Sequence, residues 1–598
     1  MGELLTRIRV GFHNPLYFLG LHFWMGLAGE SDWAIRFFSV WPSVLAVALL
    51  FKLGQLLYGR HAGLLSALVL AANPFAIYYA QEARMYAQIL ALGLACVLLY
   101  LLALRHNKFV HWLGFVVTSA ACLYTHYFTA LAPLAVGAHY VFNWLRGRNR
   151  SGTVPWLISQ VTVLALYYPW LSNALNTASA ESWQKPVPPL VLLWRALRSF
   201  SLGEVFPPLS HLPLLTVAFG LLFLVGCSGL YLFGREPGAH AWLVPFYFGL
   251  PLIIMGVLAW TGRGILDKYL MVILAPFCLI LALGLLSLGR LSWILTVLGL
   301  TSLLAVEAVS LHTYYTDERY FKSDYRATAA HIARRSQPGD VILADGINPN
   351  IVFERYYTGG LSIYRVDLGE PDEEKKLLAD LASRHKRAWL VLNFNQPGRI
   401  EHWLESHGYQ LEGSEHSTIK LYLYGFPDGA EEAALIADPP QSNSGPVRLS
   451  AYRIFPNPVT DGHPVYLSLI WETTAPPGIN YKESVRLNDA AGHVVWARDR
   501  WPIEGIVPSA TWLPYRPITD NMGIQIPPGT LPGRYDLTTV LYDPAGGDVV
   551  NAVLGPLEVN RTPEPSAAEV STRLTAPSAE PVTFGTVELL NHELAPGP

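Results

Sequence analysis

The sequence predicts a polytopic α-helical membrane domain of about ten spans, followed by a small α/β domain and a β-sandwich. The first observation is a series of apolar stretches between Arg36 and Leu311, many of them close to the roughly 20 residues that cross a bilayer. The second is a change after Lys322, where the composition becomes that of a soluble protein. The third is a run of short alternating strand patterns with Pro and Gly turns over residues 446–560.

Composition limits the possible class of protein. Of the 598 residues, 15% are charged, the formal net charge is −3 and the mean hydropathy is +0.29. No basic field favours nucleic acid, so we expect no nucleic-acid partner. All four cysteines lie in the apolar half, which excludes a disulfide framework or a cysteine-based zinc site from the soluble half.

The apolar stretches predict helices that cross a membrane. A large soluble helical core is the alternative, but too little polar surface remains to cover so many apolar helices. The predicted spans are residues 36–57, 61–79, 84–104, 111–125, 130–146, 155–173, 212–234, 239–260, 268–288 and 291–311.

Basic residues in short loops mark the cytoplasmic side of a membrane protein. They occur in alternate turns, namely at Lys52 and Arg60, Arg105 and Lys108, Arg146, Arg148 and Arg150, Arg235, and Arg290. We therefore expect a multi-pass protein of the cytoplasmic (plasma) membrane whose C-terminal domains are extracytoplasmic. The same count places residues 1–35 outside, so we expect a further span upstream of Met1, with a short translocated N-terminal tail as the alternative.

The soluble half is predicted to contain two folded parts. Strand-like runs at 341–345, 388–393 and 419–424 alternate with helical stretches at 372–385 and 398–407, which indicates an α/β layer. No GxGxxG is present, so no nucleotide site is predicted. The predicted organisation is an outer loop at 1–35, a transmembrane domain at 36–311, an extracytoplasmic α/β domain at 312–432, an Ig-like β-sandwich at 446–560, and a linker with the start of a possible second sandwich at 561–598.

Tryptophans of the predicted sandwich allow two interpretations. Trp471, Trp501 and Trp512 are expected to be core residues, and carbohydrate binding is the alternative.

Residues with functional chemistry gather in the turns of the predicted outer face. The segments are His-Asn-Pro-Leu-Tyr-Phe at 13–18, Gly-Glu-Ser-Asp-Trp-Ala-Ile-Arg at 29–36, Tyr-Tyr-Ala-Gln-Glu-Ala-Arg-Met-Tyr at 78–86, Tyr-Thr-His-Tyr-Phe at 124–128 and a weaker one at 262–269. Charges at a helix end near the membrane usually mark a functional site. We expect these segments to line one outer cavity.

Each residue type in these turns suits a phosphate or a sugar. Arg and Lys bind phosphate oxygens, aromatic rings stack on sugar faces, and carboxylates or His accept hydrogen bonds from hydroxyls. The substrate-binding candidates are His13, Tyr17, Arg36, Tyr79, Gln81, Glu82, Arg84, Tyr86, His126, Tyr127, Arg263, Lys268 and Tyr269. An interfacial aromatic belt, a snorkelling Arg36 and a structural Glu82–Arg84 ion pair are the structural alternatives.

Together these segments resemble the membrane glycosyltransferases of the GT-C class, and most of all the bacterial family-39, protein-mannosyltransferase-like branch. The resemblance covers roughly residues 1–330, and the Gln-Glu-Ala-Arg-Met-Tyr turn at 81–86 is its most specific part. It implies transfer of a sugar from a polyprenyl-phosphate donor to an acceptor glycan, lipid or protein at the outer face. No cofactor is implied with certainty, and a divalent metal remains open.

The sequence departs from that family pattern in three places. The family's HPPLYY segment has Asn14 and Phe18 here, and its late Arg-Tyr pair is Lys268-Tyr269. The resemblance also implies an acidic catalytic residue ahead of the HPPLYY segment, which would lie upstream of Met1. Asp32 and Glu82 are then the candidates within the sequence, and we expect this chain to have little or no activity. A non-catalytic, glycan-binding envelope scaffold and a lipid-linked sugar transporter are the alternative functions.

Overall fold

The structure is a computed structural model of the chain. It describes residues 14–148, 152–179, 186–204, 212–233, 242–345, 347–366, 369–393, 398–428 and 433–562, together with two strands at 582–584 and 587–589. The chain divides into two compact units, Met1–Tyr320 and Phe321–Pro598.

The first unit is helical throughout its described part. Every predicted span coincides with a helix or with a bent pair of helices. These helices are α1 (Pro15–Ala28), α2 (Asp32–Tyr58), α3 (Arg60–Ala72), α4 (Pro74–Ala80), α5 (Tyr86–His106), α6 (Phe109–Thr125), α7 (Leu131–Leu145), α8 (Thr153–Tyr167), α9 (Leu171–Ser179), α10 (Pro189–Leu202), α11 (Leu212–Leu232), α12 (Leu243–Trp260), α13 (Met271–Gly289) and α14 (Trp293–Thr316).

The number of helices that can cross a membrane is smaller than expected. Among the described residues, six are long and apolar enough, or seven if the bent pair α3–α4 is one span. Helices α6, α7 and α8 occupy predicted spans but have only 17, 15 and 15 residues, whereas a span usually needs about 20. The predicted fold class is confirmed, and the chain is a multi-pass membrane protein.

Helix α13 lies at the centre of this unit. In the most apolar stretch of its span, 89% of the residues are buried. This is expected for a helix that is apolar on every side. Its backbone meets α11 closely: a Cβ at Gly226 would collide with the carbonyl oxygen of Ile280, and one at Gly284 would lie 2.5 Å from that of Leu222. Small residues therefore allow these two helices to pack backbone to backbone.

The break between α3 and α4 determines where the outer turn that follows α4 begins. The two helices meet at 58°, because Pro74 restricts Asn73 to an extended conformation. The Asn73 side chain caps α4 by accepting from Ala76 N at 3.1 Å, and its Nδ2 donates to the Phe200 carbonyl at 2.7 Å. Helix α10 is thereby attached to the start of α4.

The second unit combines helices with two large sheets, and the predicted strands and helices of its first part are confirmed. Its helices are α15 (Tyr325–Arg335), α16 (Ile347–Tyr356), α17 (Pro371–Arg384) and α18 (Arg399–His407). Its strands are β1 (Val341–Asp345), β2 (Ile363–Arg365), β3 (Arg387–Asn393), β4 (Tyr409–His416), β5 (Ile419–Gly425), β6 (Ile436–Ala437), β7 (Gln441–Asn443), β8 (Val447–Phe455), β9 (Val459–Thr460), β10 (Pro464–Thr473), β11 (Lys482–Asn488), β12 (Val494–Arg500), β13 (Ile518–Gln525), β14 (Gly533–Tyr542), β15 (Asp548–Asn560), β16 (Val582–Phe584) and β17 (Val587–Leu589).

One sheet runs from the α/β layer into the sandwich. Its nine strands have the order β2-β1-β3-β5-β4-β13-β10-β8-β6. A six-stranded sheet forms the other half of the sandwich, with the order β12-β11-β14-β15-β7 and with β9 paired to β15. Strand β1 is parallel to β2 and β3, and β4 joins β13 at Gln410 and Met522. Strands β16 and β17 form a hairpin, while residues 563–581 of the predicted linker lie outside the described residues.

A buried charged group also joins the two parts of this second unit. The Arg500 guanidinium contacts Asp520, approaches Glu483 at 3.2 Å and Glu504 at 3.7 Å, and lies 4.0 Å from Glu405 of α18. We call Arg500 and these four carboxylates the Arg500 cluster. Its members come from α18, β11, β12, β13 and the segment after β12, so it links the helical layer to both sheets.

Candidate functional site

The tight turn between α4 and α5 carries the Gln-Glu-Ala-Arg-Met segment. Arg84 N donates to the Glu82 carbonyl at 2.7 Å. Ser39 Oγ of α2 donates to the Arg84 carbonyl at 3.1 Å and lies 2.7 Å from the Tyr17 hydroxyl of α1. Gln81 Nε2 donates to the Tyr315 hydroxyl at 2.5 Å. Helices α2 and α14 thus hold the turn directly and α1 supports Ser39, while the Arg84 side chain is exposed.

A second outer turn brings a cation to the same place. Lys268 lies on a short 3-10 helix, Asp267–Leu270, just before α13. Its Nζ lies 5.5 Å from the centroid of the Tyr86 ring, and Glu82, Arg84 and Glu204 are close enough to act on it electrostatically. The 79–86 turn and the 261–268 turn therefore meet at one end of the bundle.

Glu204, which follows α10, is a site residue that the sequence reasoning missed. Gly203 has φ +73°, and a Cβ there would lie 2.8 Å from the Pro74 Cβ, so a glycine permits this close approach. Glu204 then accepts a 2.7 Å hydrogen bond from the Tyr79 hydroxyl. Its only sequence signal is a carboxylate in a long outer loop.

Burial raises the pKa of the Glu204 carboxyl above its usual range. The hydrogen bond from Tyr79 opposes that shift, and so does the charge of Arg198, whereas nearby Asp267 and Glu82 add to it. A carboxyl in this environment accepts a proton more readily than an exposed one.

Asp267 neutralises the basic residues of α10. It forms an ion pair with Arg195, lies 3.8 Å from Arg198 and accepts from Ser199 Oγ at 3.2 Å. Arg195 also donates to the Ile265 carbonyl at 3.3 Å. The positive charges of α10 are therefore used within the fold.

By contrast, the two cations of the turns form no such pair. In the part of the chain that the structure describes, no ion pair includes Arg84 or Lys268. We call Glu82, Arg84, Glu204, Asp267 and Lys268 the polar cluster. Glu82 and Glu204 act on Lys268 electrostatically, but no ion pair among the described residues holds either cation, so both can contact an anion.

Aromatic rings surround the polar cluster on two sides. The Tyr79 and Tyr86 rings meet edge to face at 5.1 Å. The Tyr269 ring lies 5.1 Å from His126 and 5.0 Å from Phe128, with Phe128 and Tyr269 stacked at 25°. His126 Nδ1 accepts from Phe128 N at 3.2 Å. Such rings offer flat apolar faces beside a charged centre.

The remaining predicted site residues are placed by other elements. Arg36 and Arg263 are exposed, Asp32 begins α2, and Tyr127 begins a short 3-10 helix. His13 lies outside the described residues. Among those residues, no group of three or more His, Cys, Asp and Glu is arranged to hold a metal ion.

An apolar groove leads along the bundle to the turn. Its volume is about 750 Å³, and it is lined almost entirely by apolar side chains of α2, α3 and α4, from Val40 and Leu64 to Ala80 and Gln81. Since Gln81 precedes Glu82, the groove ends beside the polar cluster. A long apolar chain with a charged head has matching surroundings here.

Comparison with known proteins supports the resemblance seen in the outer turns. Residues 12–172 match the family described as Dolichyl-phosphate-mannose-protein mannosyltransferase, a family of glycosyltransferases. No curated protein sequence matches the chain. The predicted resemblance to a membrane glycosyltransferase family is confirmed over residues 12–172.

Several solved structures are distantly similar to a large part of the chain. ArnT from Cupriavidus metallidurans bound to undecaprenyl phosphate is 11% identical, with a TM-score of 0.48 over 69% of this chain and 87% of that chain. The archaeal oligosaccharyltransferase AglB from Archaeoglobus fulgidus, in complex with an inhibitory peptide and a dolichol-phosphate, is 10% identical, with a TM-score of 0.38 over 89% of each chain. These likenesses are too distant to indicate a substrate.

Proposed function

We propose that this chain, whose residues 12–172 carry the glycosyltransferase family match, transfers a sugar from a polyprenyl-phosphate-linked donor to an acceptor at the outer face of the cytoplasmic membrane. The observation that carries the proposal is the polar cluster at the end of an apolar groove. One ligand that needs both features is a lipid phosphate. The acceptor is a glycan, a lipid or a protein.

Arg84 and Lys268 bind the phosphate in this proposal. They lie near one another, and their positive charges are not paired among the described residues, unlike those of Arg195 and Arg198. Arg offers two parallel donors and Lys a compact charge, so together they stabilise both the bound phosphate and the departing one. Arg263 is a third candidate.

The groove along α2, α3 and α4 receives the polyprenyl chain. Its wall is apolar over nearly its whole length, and it opens at Gln81 toward the cluster. A chain in this groove would bring its phosphate to the level of the outer turns.

The transfer needs a proton acceptor and a leaving group. The acceptor hydroxyl gives its proton to a carboxylate, its oxygen attacks the anomeric carbon, and the bond from that carbon to the phosphate oxygen breaks. Glu82 and Glu204 are the carboxylates beside Arg84 and Lys268, since Asp267 is paired with Arg195. The raised pKa of Glu204 suits it to accept a proton.

Binding of undecaprenyl phosphate to the full chain in lipid nanodiscs tests the phosphate site. Arg84→Ala and Lys268→Ala should each weaken binding by about 10- to 150-fold, because each removes a charge-assisted contact. Arg290→Ala is a matched control, since that guanidinium donates to the Leu232 carbonyl at 2.8 Å and covers Phe233 instead. Unchanged binding by both cluster variants would overturn the assignment.

Transfer is tested by the release of undecaprenyl phosphate from a panel of undecaprenyl-phosphate sugars. Glu204→Gln should lower the rate by about 10²- to 10⁴-fold if it is the proton acceptor, and Glu82→Gln is the paired comparison. Tight binding with no release from any donor would favour the non-catalytic scaffold. Equal rates in both variants and the parent would show that the proton acceptor is neither residue.

A further inference from the structure

The β-sandwich exposes the tryptophan that follows β12. Trp471 and Trp512 are core residues at 0% and 2% exposure, as expected, whereas Trp501 is 39% exposed. Lys482 Nζ lies 5.3 Å from the centroid of the Trp501 ring. An indole that is exposed in this way contributes little to the core.

Trp501 forms one wall of a small pocket of about 240 Å³. Asn480 and Tyr481, which precede β11, and Ser509 also line it. Every residue that lines the pocket is uncharged, and Lys482 is not one of them. The volume lies below the roughly 300–1,000 Å³ of pockets for drug-sized ligands, so the occupant is small and neutral.

The walls are fixed by hydrogen bonds. Tyr481 N donates to Ser509 Oγ at 2.7 Å, and Ala510 N donates to Asn480 Oδ1 at 3.1 Å. Because the Asn480 carbonyl oxygen is used in this way, its Nδ2 group is left to donate to a ligand. The pocket therefore combines a flat apolar face with a rigidly placed polar edge.

The turn beneath Trp501 is held in an unfavourable backbone conformation. Three consecutive residues have left-handed angles: Ile503 at φ 51°, Glu504 at φ 49° and Gly505 at φ 76°. Left-handed backbone is unfavourable for a residue with a Cβ, and a β-branched residue rarely adopts it. Strained backbone persists where the surroundings impose it, and it is concentrated at ligand sites.

The Arg500 cluster imposes this conformation. Ile503 N donates to Asp520 Oδ1 at 3.1 Å. Glu504 accepts from Arg498 at 3.0 Å and lies 3.7 Å from Arg500. The buried charges thus fix the turn at two successive residues, and the turn carries Trp501 to the pocket.

We propose that the Trp501 pocket binds one ring of a neutral saccharide. A sugar ring has an apolar C–H face that stacks on an indole, and hydroxyls at its rim that accept from an amide. A phosphate or a carboxylate would find no cation in the lining. The site is separate from the polar cluster, and it gives the second unit a role in holding a glycan.

Retention of the full chain, in detergent micelles, on immobilised neutral hexose and pentose oligosaccharides tests this proposal. The parent should be retained on at least one oligosaccharide, and Trp501→Ala should lose about tenfold or more of that affinity, as truncation of a central tryptophan usually does. Trp501→Phe should retain part of it. Tyr515→Ala, at 73% exposure outside the pocket, should leave retention unchanged.

Two further measurements keep the outcomes distinct. Undecaprenyl phosphate binding by Trp501→Ala should match the parent, which separates failure here from failure of the proposed transferase. A synthetic peptide of residues 561–583 tests whether a proline-rich segment is the true occupant. No retention on any saccharide, equal retention by Trp501→Ala, or Trp501-dependent binding of that peptide alone would overturn the proposal.

Discussion

The two units contain charged groups in opposite arrangements. In the Arg500 cluster, the guanidinium is 3% exposed and the Glu483 and Asp520 carboxylates are each 0% exposed, with all three in mutual contact. In the polar cluster, Asp267 is paired with Arg195, while Arg84 is exposed and Lys268 faces an aromatic ring. We call the Arg500 cluster closed, because its buried charges contact one another. We call the polar cluster open, because Arg84 and Lys268 form no ion pair among the described residues.

This difference separates a structural role from a binding role. A buried charge without a partner is strongly destabilising, so the Arg500 cluster is complete only when every member is present. Arg84 is exposed and Lys268 is half-buried, and neither forms an ion pair among the described residues, so their charge remains available to a ligand. Removal of Arg500 should therefore change stability, whereas removal of Arg84 or Lys268 should change binding.

The largest expected effect is on the closed cluster. Arg500→Met should lower the free energy of unfolding of the second unit by about 3–5 kcal/mol, because it leaves buried carboxylates without a counter-charge. Arg448→Met is the control: it forms exposed pairs with Glu472 and Asp438 and should cost about 1 kcal/mol at most. Thermal unfolding with hydrogen exchange in β11 and β13 measures both. Equal losses would contradict the comparison.

The closed cluster should also make stability depend on pH. Burial raises the pKa of Glu405 from 4.5 to about 7, with Glu504 and Asp520 adding to the shift and Arg500 and Tyr424 opposing it. A raised folded-state pKa stabilises the fold below about pH 4.5, and that contribution, on the order of 3 kcal/mol, is lost as the pH rises toward 7. Unfolding of the second unit between pH 4.5 and 8 tests this, and Glu405→Gln should flatten the slope. An equal slope in that variant would assign it to other groups.

The open cluster depends on a backbone position that only glycine tolerates well. Gly203→Ala should cost the first unit about 1–3 kcal/mol, since φ is +73° and the new Cβ would press on Pro74. Gly137 lies in the middle of α7, and a Cβ added there would have no heavy atom within 4 Å. Gly137→Ala should therefore leave the free energy of unfolding unchanged or raise it slightly. Thermal unfolding in nanodiscs compares the two. A neutral Gly203→Ala would show that Glu204 is not fixed by this approach.

The smallest expected effect concerns the hydrogen bond between Tyr79 and Glu204. Tyr79→Phe should cost about 1 kcal/mol of stability, while Tyr168→Phe, at 75% exposure, should cost nothing measurable. Loss of the donor should also raise the pKa of Glu204 further and move the pH profile of sugar release to higher pH. An unchanged profile would mean that Glu204 does not act as the proton acceptor.

Some features could be predicted because they are written in local patterns. Strand β1 occupies Val341–Asp345 as predicted, since a short run of apolar residues between turn signals is decisive. The helices of the first unit were also predicted, although α7 and α8, at 15 residues each, are shorter than the apolar runs suggested. Hydropathy indicates how long an apolar stretch is, but a helix can end before the apolar stretch does.

Other features had no local signal. The shared sheet depends on the pairing of Gln410 with Met522, and no pattern in either strand records its neighbour. The Arg500 cluster was missed for the same reason. Charged residues in alternating strands look exposed until the opposite sheet is known.

The sequence by itself determined which segments are apolar, which turns carry cations and aromatic rings, and to which family residues 12–172 are related. The tertiary structure alone decided that Glu204 meets Tyr79 across 125 positions of sequence, that Lys268 lies over Tyr86, and that Trp501 rather than Trp471 reaches the surface. The physical reason is that periodicity follows from the geometry of one helix or strand. The burial of a side chain and the pairing of a charge depend on a second segment, whose position is fixed only when the chain packs.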